Sequence, residues 1–273
     1  MGSCISQSVT RDSTPSNEIQ SMKFPKSTTF LTCTLLSGLA AQSAFAAIAL
    51  DRTRVIYDGG QQSISLNVSN ENKQLPYLAQ GWIEDAQGNK ITTPLTVLPP
   101  VQRIEPGAKS QVKVQGLPAV KALPQDRESL FYFNIREIPP RTDKPNTLQI
   151  ALQTRIKLFY RPASLMNTTG AMTIPWQEKI TLSKQGDRYV VTNPTPYYVT
   201  LVDGSSTVKG QSVKGFDPVM VEPKSTATLT ASASALGNNP VLTYINDYGG
   251  RPQIQFSCSG GSNCKAEAVK DSR

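Results

Sequence analysis

The chain contains no histidine among its 273 residues. That absence excludes Ser-His-Asp and Cys-His catalysis, histidine metal sites and the H-E-x-x-H zinc helix. Runs of one charge are missing too. Basic residues outnumber acidic ones, 28 to 20, for a net charge of +8, yet Lys and Arg are scattered. Nucleic-acid binding calls for a clustered basic patch, so no nucleic-acid partner is expected. A dispersed basic excess suits a carboxylate ligand or an anionic surface instead. No Gly-rich phosphate loop, supported S-x-x-K dyad or acidic metal cluster is present, so no cofactor, metal site or enzymatic activity is expected. Cysteine is scarce, and helical periodicity is almost absent.

The N-terminal region reads as a targeting segment. From Met22, Lys23 and Lys26 precede an apolar stretch over about Phe30–Ala41, followed by the small-x-small triplet Ala44-Phe45-Ala46. This is the pattern of a cleavable signal peptide, residues 22–46, and the stretch is too short to span a membrane. Export across a membrane with no membrane insertion follows. Residues 1–21 are polar and unpatterned. Gly2 and Ser6 fit a myristoylation motif, but a lipid anchor upstream of a signal peptide makes little sense. Translation from Met22 is the simpler reading.

Cysteine usage agrees with export. Cys4 and Cys33 precede the cleavage point, leaving Cys258 and Cys264 in the exported chain. Two thiols make a poor zinc site, and an oxidising compartment favours a disulfide between them over two free thiols. Closing so short a loop contributes roughly 2 kcal/mol on the chain-entropy account.

What the sequence has in abundance is short alternating runs. "QQSISLNVSNEN" turns Ile64, Leu66 and Val68 to one side, and "KSQVKVQGLP" alternates through Val112 and Val114. "LPYLAQGWIEDAQGNK" and "SLFYFNIREIPP" read as further strands. The pattern restarts after "RPASLMNTTG" with "EKITLSK", "DRYVVTN", "YYVTLVD", "PVMVEP", "STATLTAS", "VLTYIND" and "QIQFSC". Strands at this spacing, with Pro and Gly between them, indicate β-sandwiches. The expectation is all-β: two sandwiches, residues 47–165 and 166–273, joined near residues 161–170. The tail after Cys264 is polar and suggests nothing further.

The run "LQIALQTRIKLFYRP", residues 148–162, poses the functional question. Its period of two predicts one long strand. An apolar strand of that length is an aggregation hazard at a sheet edge. Alternation alone assigns Leu148, Ile150 and Leu152 to the core of their own domain. Lys157 has the opposite parity from these three, so a strong twist or a bulge is expected if both serve one site.

The strings "DRTRVIYDG", "NKQLPYLAQGWIED", "PPVQRIEPGAKS", "LPQDRESLFYFNIREIPPR", "LQIALQTRIKLFYRP", "NPTPYYVT" and "YINDYGGRP" resemble, in order and across both halves, the periplasmic chaperones of P pili, the PapD type. Immunoglobulin-like sandwiches and pilin donor-strand complementation are associated with such chaperones. The resemblance implies two immunoglobulin-like domains in a boomerang, with a cleft between them. It also implies binding of pilus subunits (pilins, adhesin and adaptors) and delivery to an outer-membrane usher. Leu148, Ile150 and Leu152 would fill the groove of an incomplete subunit. Arg54 and Lys157 would hold the subunit's C-terminal carboxylate. Glu128, Arg161 and Asp247 would form an interdomain charge network, and "REIPPRTDKPNTLQ" a mobile loop that orders on binding. An exposed edge also suggests a self-capping homodimer of the unbound protein. The alternative from the residues alone is a secreted or cell-surface immunoglobulin-like binding protein, for which Asn67-Val68-Ser69 and Asn167-Thr168-Thr169 are formal glycosylation sequons.

Overall fold

A computed structural model describes residues 46–143, 148–166, 175–258 and 263–269. The upstream extension, the signal peptide before Ala46, residues 144–147 of the Pro-rich loop and the sequon at Asn167 lie outside the described residues.

The first half contains ten strands: β1 (Ile48–Leu50), β2 (Arg54–Asp58), β3 (Ser63–Asn70), β4 (Tyr77–Glu84), β5 (Lys90–Ile91), β6 (Leu95–Leu98), β7 (Val101–Ile104), β8 (Lys109–Gly116), β9 (Ser129–Ile138) and β10 (Gln153–Arg161). They form two sheets, one ordered β1-β3-β8-β6 and the other β2-β10-β9-β4-β5, with β7 also paired to β4. The alternation explains the layering. Leu66 and Val68 of β3 and Val112 and Val114 of β8 are buried, while Ser65, Asn67, Gln111 and Lys113 between them are exposed. Phe131, Phe133 and Ile135 of β9 and Ile156, Leu158 and Tyr160 of β10 join the same core. Each such buried side chain stabilises the fold by about 1.5–3 kcal/mol.

The second half has eight strands: β11 (Thr181–Gln185), β12 (Arg188–Asn193), β13 (Val199–Ser205), β14 (Val219–Val221), β15 (Ser225–Ser232), β16 (Val241–Tyr244), β17 (Gln253–Ser257) and β18 (Asn263–Ala268). They form one hydrogen-bonded path, β14-β13-β16-β17-β18-β11-β12-β15. A single core draws on all of them, including Leu182, Val191, Leu201, Val221, Leu229, Leu242, Phe256 and Cys264, so the path wraps around its own apolar face. A short α-helical turn, α1 (Ala233–Leu236), is capped by Ser232 Oγ, which accepts the Ala235 N–H. The all-β expectation of two sheet-rich domains is met.

Two expectations need correction. The tail after Cys264 is not structurally idle. Its residues Lys265–Ala268 belong to β18, which pairs with both β17 and β11 and so joins the two halves of the sheet path. Its inward residues are small, so its alternation carries little signal. Cys264 is buried there and forms the expected disulfide with Cys258. The long strand predicted from Leu148 begins only at Gln153. Its partner β9 ends at Ile138, and Pro139 and Pro140 follow. Neither proline has an N–H to extend the ladder.

Candidate functional site

Strand β10 has two neighbours over only part of its length. Antiparallel β9 accompanies it from Gln153 to Tyr160. Parallel β2 begins alongside it only at Lys157, which is opposite Arg54. The β2-side edge of Gln153–Ile156 therefore has no strand partner among the described residues. Upstream, Leu148, Ile150 and Leu152 are 83%, 63% and 41% exposed. They share the parity of the core residues Ile156, Leu158 and Tyr160, but they lie beyond the end of the sandwich. The apolar row continues where its own core stops. Leu152 is held to β9 through its backbone, its carbonyl accepting the Glu137 N–H at 3.0 Å, and upstream of it the Gln149 side chain donates to the Pro140 carbonyl at 2.7 Å.

Pairing through β10 is continuous from Gln153 to Arg161, with no bulge. The twist or bulge expected from the parity of Lys157 is therefore not needed within this strand. Odd positions turn the other way. Lys157 is half-buried, and Phe159 stacks against Tyr198 with ring centroids 5.5 Å apart.

At the open end of the β2 lane, Arg54 and Lys157 are cross-strand neighbours. Arg54 is buried. One Nη donates to the Ile245 carbonyl at 3.3 Å, and the guanidinium lies 5.8 Å from the Phe159 ring centroid. Its Nε has no hydrogen-bond partner among the described residues. Neither cation is in an ion pair there. Burial, and then the Arg54 charge, push Lys157 below the ordinary lysine range. Burial also lowers Arg54, against the attraction of Asp247 and Glu128. Like charges directly opposite on a sheet destabilise it. The site has donors, desolvation and positive charge, and lacks an anion. A single carboxylate would satisfy it, with charge-assisted bonds stronger than neutral ones.

Four residues further on, Arg161 has the opposite surroundings. Its Nε donates to Glu128 Oε1 at 2.8 Å, and its two Nη atoms donate to Asp247 at 2.8 and 3.1 Å. The Trp176 and Tyr197 rings flank it, each 4.9 Å from the guanidinium. Burial alone would lower Arg161, but the bonds to Asp247 and the Glu128 charge hold it above its usual value. The other oxygen of Glu128 accepts the Tyr198 N–H at 2.7 Å, and the Glu128 N–H donates to the Pro196 carbonyl. Asn193 positions that loop: its Nδ2 donates to the Tyr197 and Glu222 carbonyls. The network thus ties the ends of β9 and β10 to two loops of the second half. One of those loops also contains Gly249, at φ +84, whose Cβ position would lie 2.6 Å from Thr53 Oγ1 beside Arg54. Only glycine readily combines that backbone conformation with so close an approach.

The residues singled out for subunit binding and for the charge network are thus found in three adjoining places: the exposed row, the cation pair and the paired network. Sequence reasoning missed Phe159, Tyr197 and Trp176, whose rings wall the charges. It also missed Glu137, an acid at a core-facing position of β9. The signal for Glu137 was present, since it continues the Phe131, Phe133, Ile135 alternation.

Comparison with known proteins identifies the family and the fold. A family model for the pili and flagellar-assembly chaperone, PapD N-terminal domain, matches residues 47–166, and one for the pili assembly chaperone PapD, C-terminal domain, matches residues 175–256. The probable fimbrial chaperone YfcS of Escherichia coli K12 is 52% identical over 85% of this chain and 91% of its own length. The chaperone protein PapD of Escherichia coli is also 52% identical, over 83% of this chain and 92% of its own length. Among solved structures, the periplasmic chaperone SfaE aligns with TM-score 0.60 and 32% identity over 76% of this chain and 98% of its own. The SafB chaperone, solved with the SafA pilin of Salmonella enterica, appears in a structure aligning at TM-score 0.64 and 27% identity over 79% of this chain and 98% of the matched chain. The fold is the two-domain immunoglobulin-like fold of these proteins, and the pilus-chaperone family comprises folding and assembly factors, not enzymes. This chain belongs to the PapD family of pilus-assembly chaperones.

Proposed function

We propose that this chaperone works in the periplasm by adding part of itself to an incomplete pilus subunit. Leu148, Ile150 and Leu152 enter the subunit's apolar groove, and Arg54 and Lys157 anchor its C-terminal carboxylate. The observation that carries this reading is a β10 edge that, among the described residues, is open and ends at two adjacent cations in no ion pair. The chemistry also sets the direction. A strand in the empty β2 lane, parallel to β10, brings its C-terminal carboxylate to Arg54 and Lys157. An antiparallel strand would bring its N-terminal ammonium there, against two like charges. Anchoring the end fixes the register, so the same subunit side chains meet the apolar row each time. Three side chains at about 1.5–3 kcal/mol each would contribute several kcal/mol, besides the ladder bonds.

The same reading assigns processing after Ala46, domains spanning residues 47–165 and 166–273, a set angle between them through Glu128, Arg161 and Asp247, and delivery of the subunit to an outer-membrane usher. The free edge also favours a second copy as its cover when no subunit is bound. Co-purification from the periplasm tests the core of this reading. The wild-type chain should retain subunits with free C-terminal carboxylates. Equal retention by Lys157→Ala would remove the anchor.

A further inference from the structure

The buried acid Glu137 has no role in the network or the anchor. It is 5% exposed, on the core-facing side of β9. A buried carboxylate is costly unless it is paired. Among the described residues no Lys or Arg side chain pairs with it. Its partners are backbone donors: the Ile48 N–H to Oε2 at 3.0 Å and the Leu152 N–H to Oε1 at 3.4 Å.

Ile48 directly follows Ala47, and Ala47 is firmly held. It is buried, its carbonyl accepts the Glu71 N–H at 2.7 Å, and the β1–β3 ladder starts at the next residue. The Ala47 nitrogen is therefore fixed within one residue's reach, about 4 Å, of a nitrogen already bonded to the Glu137 carboxylate. In the precursor that nitrogen is a neutral amide. Cleavage between Ala46 and Ala47 makes it an ammonium.

We propose that Glu137 is the seat of the processed amino terminus. The α-ammonium of Ala47 supplies the counter-ion this acid otherwise lacks. Glu137 also bonds both backbone groups of Leu152, the base of the exposed Leu148–Leu152 row. It is thus a positioning residue that couples maturation to the placement of the subunit-binding segment. This rests on the processing reading above.

The test starts with the exported chain and the identity of its first residue. A terminus elsewhere than Ala47 would overturn the processing reading and this inference with it. With Ala47 first, the α-amino group is carbamylated under unfolding conditions, and folding constants are measured for wild type and Glu137→Gln. We expect loss of the ammonium charge to lower the wild-type constant about tenfold or more and the Glu137→Gln constant by less than about twofold, the signature of direct coupling. Equal losses in both would overturn the seat while leaving the processing reading intact. If Glu137→Gln does not fold, the Ala47 α-amino group is titrated by NMR in the wild-type protein. Glu71 is the other acid beside it, with its carboxylate already bonded by the Ser69 hydroxyl. Titration clearly above the ordinary value near 8 is expected, and an ordinary value would overturn the seat.

Discussion

Lys157 and Arg161 lie four residues apart on one face of β10, and their electrostatic surroundings are opposite. Arg161 is buried between two rings, and all three of its bonding nitrogens meet carboxylates of the same molecule. Lys157 faces Arg54, and neither has a counter-charge among the described residues. One cation completes the fold. The other is carried at a cost that the fold itself does not recover, which makes sense when the missing charge arrives with a partner. On the proposed function, the contrast separates residues that hold the chaperone together from residues that bind its subunit.

Four tests, taken from the largest expected effect to the smallest, would sharpen or break that contrast. The largest effect is expected at Arg161. Arg161→Ala leaves Glu128 buried without its partner and should cost about 3–5 kcal/mol of stability by urea unfolding. Next come Arg54→Ala and Lys157→Ala, which should lower subunit affinity by about 2–5 kcal/mol while unfolding midpoints stay close to wild type. A Lys157→Ala variant as unstable as Arg161→Ala would erase the distinction. Third, Ile150→Asp should leave stability within about 1 kcal/mol of wild type, as expected for an exposed position, and still abolish capture. The same change at Leu158, fully buried eight residues further on, should cost several kcal/mol.

The smallest effect is a pH dependence. Burial and Arg54 depress Lys157 in the free protein, whereas a bound carboxylate favours its charged form and raises it again. Binding should be insensitive to pH below the depressed free-state value. It should weaken as pH rises through that value, because the complex must then take up a proton. The loss is at most about tenfold per pH unit. Titration calorimetry in two buffers of different ionisation enthalpy checks the proton uptake. Absence of uptake in that window would mean that Lys157 is not at the anchor.

Much of the fold was legible because the sandwich strands alternate strongly. Leu66, Val68, Val112 and Val114 announce their own burial. β18 escaped notice because its inward residues are Cys264 and Ala266, too small to stand out against polar neighbours. The fate of Leu148, Ile150 and Leu152 could not be read from alternation at all. Their parity matches that of Ile156 and Leu158, and only the tertiary structure decides where the covering layer stops. Partners gathered from distant segments were equally hidden from alternation and spacing, and only the family resemblance named them. Arg161 meets Glu128 and Asp247 across 33 and 86 residues of sequence, and no spacing rule reaches that far.

The central claim is that Arg54 and Lys157 await a terminal carboxylate. The most direct measurement is a binding cycle between wild type and Lys157→Ala, using a peptide of a subunit's last strand with either a free C-terminal carboxylate or a carboxamide. The account predicts that the carboxamide weakens binding strongly to wild type and only slightly to Lys157→Ala. Equal penalties in the two proteins would show that the carboxylate is not read at this site.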